Sequence, residues 1–86
     1  MPLHHALVFT REPQAAFGKA IRELRLRKGL TQEQVAHEAG LALNYVSEME
    51  RGRRNPSLVT VFSLASALGV SADALVKQTR LLLATV

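Results

Sequence analysis

The sequence predicts an all-α domain of five helices joined by short connections. Apolar residues recur at spacings of three and four through most of the chain from Ala15 onward, which is the period of a helix that buries one face. Residue types that cap helix N termini precede three of these patterns, at Thr31, Ser57 and Ser71. Glycines, which commonly lie just past a helix end, follow the patterns at positions 29, 40, 52 and 69.

A chain of 86 residues, 48% of them hydrophobic, has room for one small domain with a single core. The absence of cysteine excludes disulfides, thiolate metal sites and cysteine nucleophiles, and it fits a reducing cytoplasm. No apolar run approaches the roughly 18 to 20 residues that span a bilayer, so we expect a cytoplasmic protein without a membrane partner. The formal net charge of +4 is a mild bias toward anionic partners, and the densest basic runs are "RLRK" and "RGRR".

Residues 1–13 contain two prolines and no sustained period, so we assign them to an N-terminal arm with a short extended piece at Ala6–Thr10. Residues 14–86 then form the domain. Its first helix starts near Ala15 and ends before Gly29, after basic residues that suit the negative end of the helix dipole. The inward face of this helix is formed by Phe17, Ile21 and Leu24.

The second and third helices are short and closely spaced. Thr31 caps the second helix, and Gln34 three residues later completes a capping box. Gly40 ends that helix, and the third runs from about Ala42 to Arg51. The inward faces are formed by Val35, Ala36 and Ala39 in the second helix and by Val46 and Met49 in the third.

The fourth and fifth helices follow a turn, because Pro56 pushes Asn55 out of helical geometry. Ser57 caps the fourth helix and Gly69 stops it, and Ser71 caps the fifth. The core residues expected here are Leu58, Val61, Phe62, Leu64, Ala65 and Leu68 in the fourth helix, and Leu75 and Val76 early in the fifth.

Only Gly40 and Leu41 separate the second and third helices, which is too little for a real loop. Two helices joined by so short a turn cross steeply, and the third helix is left as an exposed ridge. A ridge of this size fits the major groove of DNA, which is about 12 Å wide and admits one α-helix. There an Asn can pair with adenine, a Leu can contact a thymine methyl and a Glu can accept from cytosine. The outward positions of the third helix are Leu43, Asn44, Ser47 and Glu48, with Tyr45 at the edge.

These motifs resemble the helix-turn-helix of the Cro/cI-type (XRE) repressors. The resemblance rests on "GLTQEQVAHEAG", "YVSEMERG", "NPSL" and "LASALGV", and it covers roughly Phe17 to Val76. It implies a five-helix, lambda-repressor-like DNA-binding domain that acts as a dimer on a near-palindromic operator. "YVSEMERGRRNPSL" is also similar to restriction–modification controller proteins, and the whole suits a small phage-type repressor.

The resemblance also implies which residues meet DNA. Gln32 matches a glutamine at the groove edge, and "RRNPS" matches a loop that contacts phosphates, partly through the N–H groups of a helix start. Leu43 stands where many relatives carry a glutamine or arginine, so this protein reads a thymine methyl there or relies more on Asn44, Arg54 and DNA deformability. The expected interface is Gln32, Leu43, Asn44, Tyr45, Ser47, Glu48, Arg51, Arg53, Arg54, Asn55 and Ser57.

Three of the polar residues have two readings each. Arg25 could meet a phosphate, or it could form the buried pair with Glu50 that the resemblance implies, bracing the first helix against the third. Tyr45 could contact DNA or simply pack. Glu48 could read a cytosine or act as a negative element that rejects wrong sequences.

The sequence gives no indication of catalysis or of a cofactor. It lacks a catalytic set of a nucleophile, a general base and a group that orients the base, and it also lacks a glycine-rich phosphate loop and paired carboxylates. The histidines at His4, His5 and His37 have no third ligand nearby, so we expect no metal.

The last helix ends in "LLLATV", which is too apolar to bury completely in so small a monomer. At least one of its three adjacent leucines should face outward. We therefore expect a two-fold dimer contact from the end of the fourth helix and the fifth, centred on Leu81 to Val86; the alternative is a disordered tail.

The leading hypothesis is a homodimeric, sequence-specific transcriptional regulator. The alternative is an antitoxin-type interaction module whose arm or last helix binds a partner protein.

Overall fold

The computed structural model describes residues 12–83, and within that range it contains five α-helices and no strand. The helices are α1 (Glu12–Arg27), α2 (Gln32–Ala39), α3 (Leu43–Glu50), α4 (Leu58–Leu68) and α5 (Ala72–Leu83). The all-α, five-helix prediction is therefore confirmed. The expected extended piece at Ala6–Thr10 lies outside the described residues, as do residues 84–86 of the expected dimer contact.

Helix α1 begins at Glu12, earlier than the Ala15 expected from the apolar period. Proline is compatible with the first turn of a helix, where its missing N–H has no partner to lose, and an acid there favours the dipole. Glu12 and Pro13, which the sequence assigned to the arm, therefore belong to the helix.

The predicted N-caps are present. The hydroxyl of Thr31 accepts from the N–H of Gln34 at 3.0 Å, and the Gln34 side-chain oxygen accepts from the N–H of Thr31 at 2.8 Å, which completes the capping box. Ser57 accepts from the N–H of Thr60 at 3.1 Å, and Ser71 caps α5 in the same way. Each hydroxyl satisfies a backbone donor that has no partner within its helix.

All five helices contribute to one core. Helix α1 lies between α3 and α5, and α2 packs against α4. The buried apolar residues in the cluster are Phe17, Ala20, Ile21, Leu24, Val35, Ala36, Val46, Met49, Leu64, Ala65, Leu68 and Leu75. No single helix among residues 12–83 is long and apolar enough to cross a membrane, although α4 and α5, bent by 99°, pass that test of length and composition as a pair.

Three residues that were predicted to lie in the core are exposed instead. Leu58 is 72% exposed, Phe62 59% and Val76 54%. Successive helical residues are rotated by about 100°, so Phe62 lies on nearly the opposite side of α4 from the fully buried Leu64, and Val76 is turned away from Leu75. These residues were predicted to be buried because they are apolar, but none of the described helices covers their side of α4 or α5.

The backbones of helices α1 and α3 come into contact at Gly18. A Cβ at this position would overlap the carbonyl oxygen of Met49 and lie 2.8 Å from that of Glu50. Only glycine lets the backbone of α1 rest against the end of α3 at this distance. The orientation of α3 is therefore set by backbone contact as well as by side-chain packing.

Candidate nucleic-acid interface

The corner between α2 and α3 is built on Gly40. Its backbone is left-handed, with φ 70° and ψ 33°, which residues other than glycine adopt only at a cost. The next N–H, from Leu41, donates to the carbonyl of Ala36 at 2.8 Å and closes the end of α2. Leu41 is half-buried and packs against the core, as expected for a residue inside the angle. The predicted helix-turn-helix corner is therefore present.

Helix α3 has one buried face and one face open to solvent. Val46 and Met49 are fully buried, as predicted. On the other face Leu43 is 44% exposed and Asn44 is exposed, while Ser47 and Glu48 are half-buried. The four residues that were expected to point outward thus share the side of α3 that the core does not use.

Arg25 and Glu50 form a buried ion pair, which was one of the two interpretations of Arg25 that the sequence allowed. Arg25 donates from Nε to Oε2 of Glu50 at 2.7 Å and from Nη2 to Oε1 at 3.0 Å. A third donor, Nη1, reaches the carbonyl oxygen of Leu30 at 2.9 Å. The hydrogen bond to Glu50 raises the pKa of Arg25 although burial lowers it, so the guanidinium stays charged. With its donors directed inward, Arg25 braces α1 against α3 and is not placed to meet a phosphate.

Gln32 is held by the same carboxylate. Its side-chain amide donates from Nε2 to Oε1 of Glu50 at 3.0 Å, and the residue is half-buried at the start of α2. The resemblance placed Gln32 at the groove edge, and the bond to Glu50 was not anticipated. Since the amide carries two hydrogens, one donor remains for another partner.

The α3–α4 loop brings exposed cationic side chains next to α3. Arg51, Arg53 and Arg54 are exposed, as is Asn55. The loop is fixed to the helix because the N–H of Arg53 donates to the carbonyl of Glu48 at 2.9 Å. The guanidinium of Arg54 lies over the Tyr45 ring, with 5.2 Å between its Cζ and the ring centroid. This stacking was not predicted, because contacts across a loop leave no periodic signal in a sequence.

Two smaller contacts complete this surface. Arg51 Nη1 lies 4.0 Å from Glu48 Oε2, a long and partly exposed ion pair of little energetic value. At the start of α4, the Ser57 hydroxyl caps the N–H of Thr60, and the first N–H groups of the helix remain without intrahelical partners. A helix start of this kind favours anions.

Metal ligands do not cluster in the part of the chain that the structure describes. No three His, Cys, Asp or Glu side chains come together within residues 12–83. His37 is exposed on α2, and His4 and His5 lie outside this range.

Comparison with known proteins agrees with this geometry. The helix-turn-helix family model matches residues 21–75. The uncharacterized HTH-type transcriptional regulator y4dJ of Sinorhizobium fredii is 50% identical over 62 residues, which are 72% of this chain and 80% of that protein. The control protein C.BamHI of Bacillus amyloliquefaciens is 44% identical over 55 residues, 63% of this chain and 68% of its own length.

Solved structures agree as well. The restriction–modification controller protein C.AhdI of Aeromonas hydrophila superposes with a TM-score of 0.71 and 47% identity, covering 72% of this chain and 94% of its own. The controller C.Esp1396I, as a tetramer in complex with its natural 35-base-pair operator, gives a TM-score of 0.77 at 26% identity, covering 84% and 95%. The resemblance noted in the sequence is confirmed: this chain belongs to the helix-turn-helix family of Cro/cI-type (XRE) transcriptional regulators, whose common feature is a DNA-binding helix-turn-helix.

Proposed function

We propose that this protein is a sequence-specific transcriptional regulator that binds a near-palindromic operator as a homodimer. The observation that carries this proposal is the solvent-facing side of α3, where Asn44 and Leu43 stand beside the exposed arginines of the α3–α4 loop. A helix that is braced from behind and flanked by cations suits insertion into a major groove between two phosphate backbones. Its relatives are regulators, and C.Esp1396I is bound to operator DNA as a tetramer.

Within this proposal, the outward residues of α3 read bases. Asn44 donates and accepts at an adenine edge, and Leu43 contacts a thymine methyl. Glu48 accepts from a cytosine or, by repulsion, disfavours other sequences. Ser47 lies beside them.

The flanking residues bind the sugar–phosphate backbone. Arg51, Arg53 and Arg54 supply charge, while Asn55 and the start of α4 at Ser57 supply hydrogen-bond donors. Gln32 offers its remaining amide hydrogen at the groove edge while its other donor is held by Glu50. These contacts provide most of the affinity, which should therefore fall steeply with salt.

The homodimer is proposed from exposed apolar surface. Leu81 is 48% exposed on α5, so at least one of the three adjacent leucines faces outward. Leu58, Val59 and Phe62 are exposed together on the first turns of α4. At the end of α4, which was expected to join the contact, Leu68 is buried in the core. We therefore propose an interface formed by the outer face of α5 and the beginning of α4, since exposed apolar side chains that cluster on a surface mark association sites.

The proposal is tested by selecting bound sites from random duplex DNA with the full chain. We expect an inverted-repeat consensus whose half-sites lie about one helical turn, or roughly 34 Å, apart. A variant with Arg53→Gln should bind all duplexes less tightly, whereas Arg22→Gln, which removes an exposed charge from α1, should behave like the parent. Failure to enrich any consensus would refute sequence-specific binding, and a consensus with one unrepeated half-site would refute the homodimer.

A further inference from the structure

Tyr45 and Arg54 make a contact that joins the two parts of the candidate interface. Tyr45 belongs to α3, and Arg54 belongs to the α3–α4 loop. The guanidinium carbon lies 5.2 Å from the centroid of the ring, within the distance at which a cation is attracted to an aromatic face. One of the charged residues of the loop is therefore attached to the helix that faces outward.

The two residues differ in how firmly they are held. Tyr45 is half-buried, packs against the core and precedes Val46, which is fully buried. Arg54 is exposed, and an arginine side chain loses much conformational freedom when a ligand immobilises it. The ring therefore acts as a fixed platform, and the guanidinium is the mobile group whose freedom the platform restricts.

The stacking leaves the charge of Arg54 available. Two other arginines of this region face carboxylates, Arg25 with Glu50 and Arg51 with Glu48. Arg54 instead lies over an uncharged ring, which does not occupy the N–H donors at the edge of the guanidinium plane. Those donors remain free to form two parallel bonds to a phosphate.

We propose that Tyr45 is a positioning residue for Arg54, whose guanidinium it holds in place for a DNA backbone phosphate. The proposal rests on the proposed DNA-binding function. Because the ring already restricts Arg54 before DNA arrives, binding loses less conformational freedom, and the phosphate contact is set in register with the bases that α3 reads. Tyr45 thus acts through Arg54, and its hydroxyl is not needed for this role.

A double-mutant cycle tests the coupling. The affinity of the selected duplex is measured at several salt concentrations for the parent and for Tyr45→Leu, Tyr45→Phe, Arg54→Gln and Tyr45→Leu with Arg54→Gln. We expect Tyr45→Leu to weaken binding about two- to fivefold, as a cation–π contact at an exposed site implies, and Tyr45→Phe to bind like the parent. In the Arg54→Gln background Tyr45→Leu should have no further effect, because the group it positions is gone.

Arg53→Gln provides the matched control background. Arg53 is also an exposed arginine, one residue away, so Tyr45→Leu should keep its full effect there. The dependence of affinity on salt should also become shallower in Tyr45→Leu, toward that of Arg54→Gln, since a phosphate contact is weakened. A purely structural role for Tyr45 would leave the salt dependence unchanged.

A second measurement does not depend on how the leucine variant folds. Tyr45 is the only tyrosine and the chain has no tryptophan, so tyrosine fluorescence reports this ring alone. Arg54→Gln should change the emission of the free protein, and Arg53→Gln should not. Equal emission in the two variants would overturn the proposal. So would additive losses of affinity in the double-mutant cycle. A loss of affinity in Tyr45→Phe equal to that in Tyr45→Leu would overturn it as well. If the parent itself binds no selected duplex, the proposed function fails instead.

Discussion

Arg25 and Glu50 form a two-point ion pair that joins the C-terminal end of α1 to the last residue of α3, with N···O distances of 2.7 and 3.0 Å. Their side chains are only 9% and 3% exposed. Because Glu50 also accepts from Gln32, the same carboxylate fixes the beginning of α2 and the end of α3. The pair therefore helps to set the orientation of both helices of the helix-turn-helix.

Replacing Arg25 by Met should destabilise the fold by about 3–5 kcal/mol, because the buried carboxylate of Glu50 loses its charged partner. Urea unfolding at neutral pH measures this. The double variant Arg25→Met with Glu50→Leu should be more stable than Arg25→Met alone, since no buried charge is left unpaired. Equal stability of the two variants would show that the carboxylate is rehydrated without cost.

Replacing Gly18 by Ala should move α3. The added methyl would meet the carbonyl oxygens of Met49 and Glu50, and overpacking of this kind costs about 1–3 kcal/mol. Gly40→Ala is the control, because its Cβ would have nothing within 4 Å and would add only the cost of a left-handed backbone, about 1–2 kcal/mol.

The two glycine variants should differ in DNA binding more than in stability. When both are fully folded, as judged by circular dichroism, only Gly18→Ala should lose affinity for the selected site, because only there must the outward helix shift. If Gly40→Ala loses as much affinity, the corner at Gly40 controls α3 more than the contact with α1 does.

Local signals predicted the helices well. Thr31, Ser57 and Ser71 cap the helices they were expected to cap, because an N-cap bond spans only three residues and depends on few neighbours. The same locality explains the error at Pro13, since proline is as acceptable in a first helical turn as in an arm.

Contacts between distant parts of the chain were predicted less well. Leu58 and Phe62 were expected in the core, because apolar character shows that a side chain favours burial but not whether a neighbour covers it. The bond from Gln32 to Glu50 crosses 18 residues and leaves no trace in composition or period. The Arg25–Glu50 pair was found only through resemblance to a family.

Asn44→Ala should relax selectivity at a single base pair in each half-site. Asn44 is exposed on the outward side of α3, and the loss of a bidentate base contact costs about 1–3 kcal/mol of discrimination. Repeating the selection with the variant measures this directly. Arg53→Gln is the contrasting variant, because it should lower the affinity for all duplexes about equally. It should also make the salt dependence of affinity shallower, by the amount expected for the loss of about one phosphate contact. An unchanged consensus for Asn44→Ala would show that this residue does not contribute to base recognition.

Phe62→Ser should weaken the homodimer. Phe62 is 59% exposed beside Leu58 and Val59, so its truncation removes little from the monomer core but takes an aromatic group from the proposed interface. Such groups contribute about 1–2 kcal/mol or more, so the dimer dissociation constant from sedimentation equilibrium should rise roughly tenfold. Leu26→Ser is the matched control, because Leu26 is 54% exposed on α1, outside that interface. If Leu26→Ser dissociates the protein as strongly as Phe62→Ser, the contact involves α1 and the proposed interface is wrong.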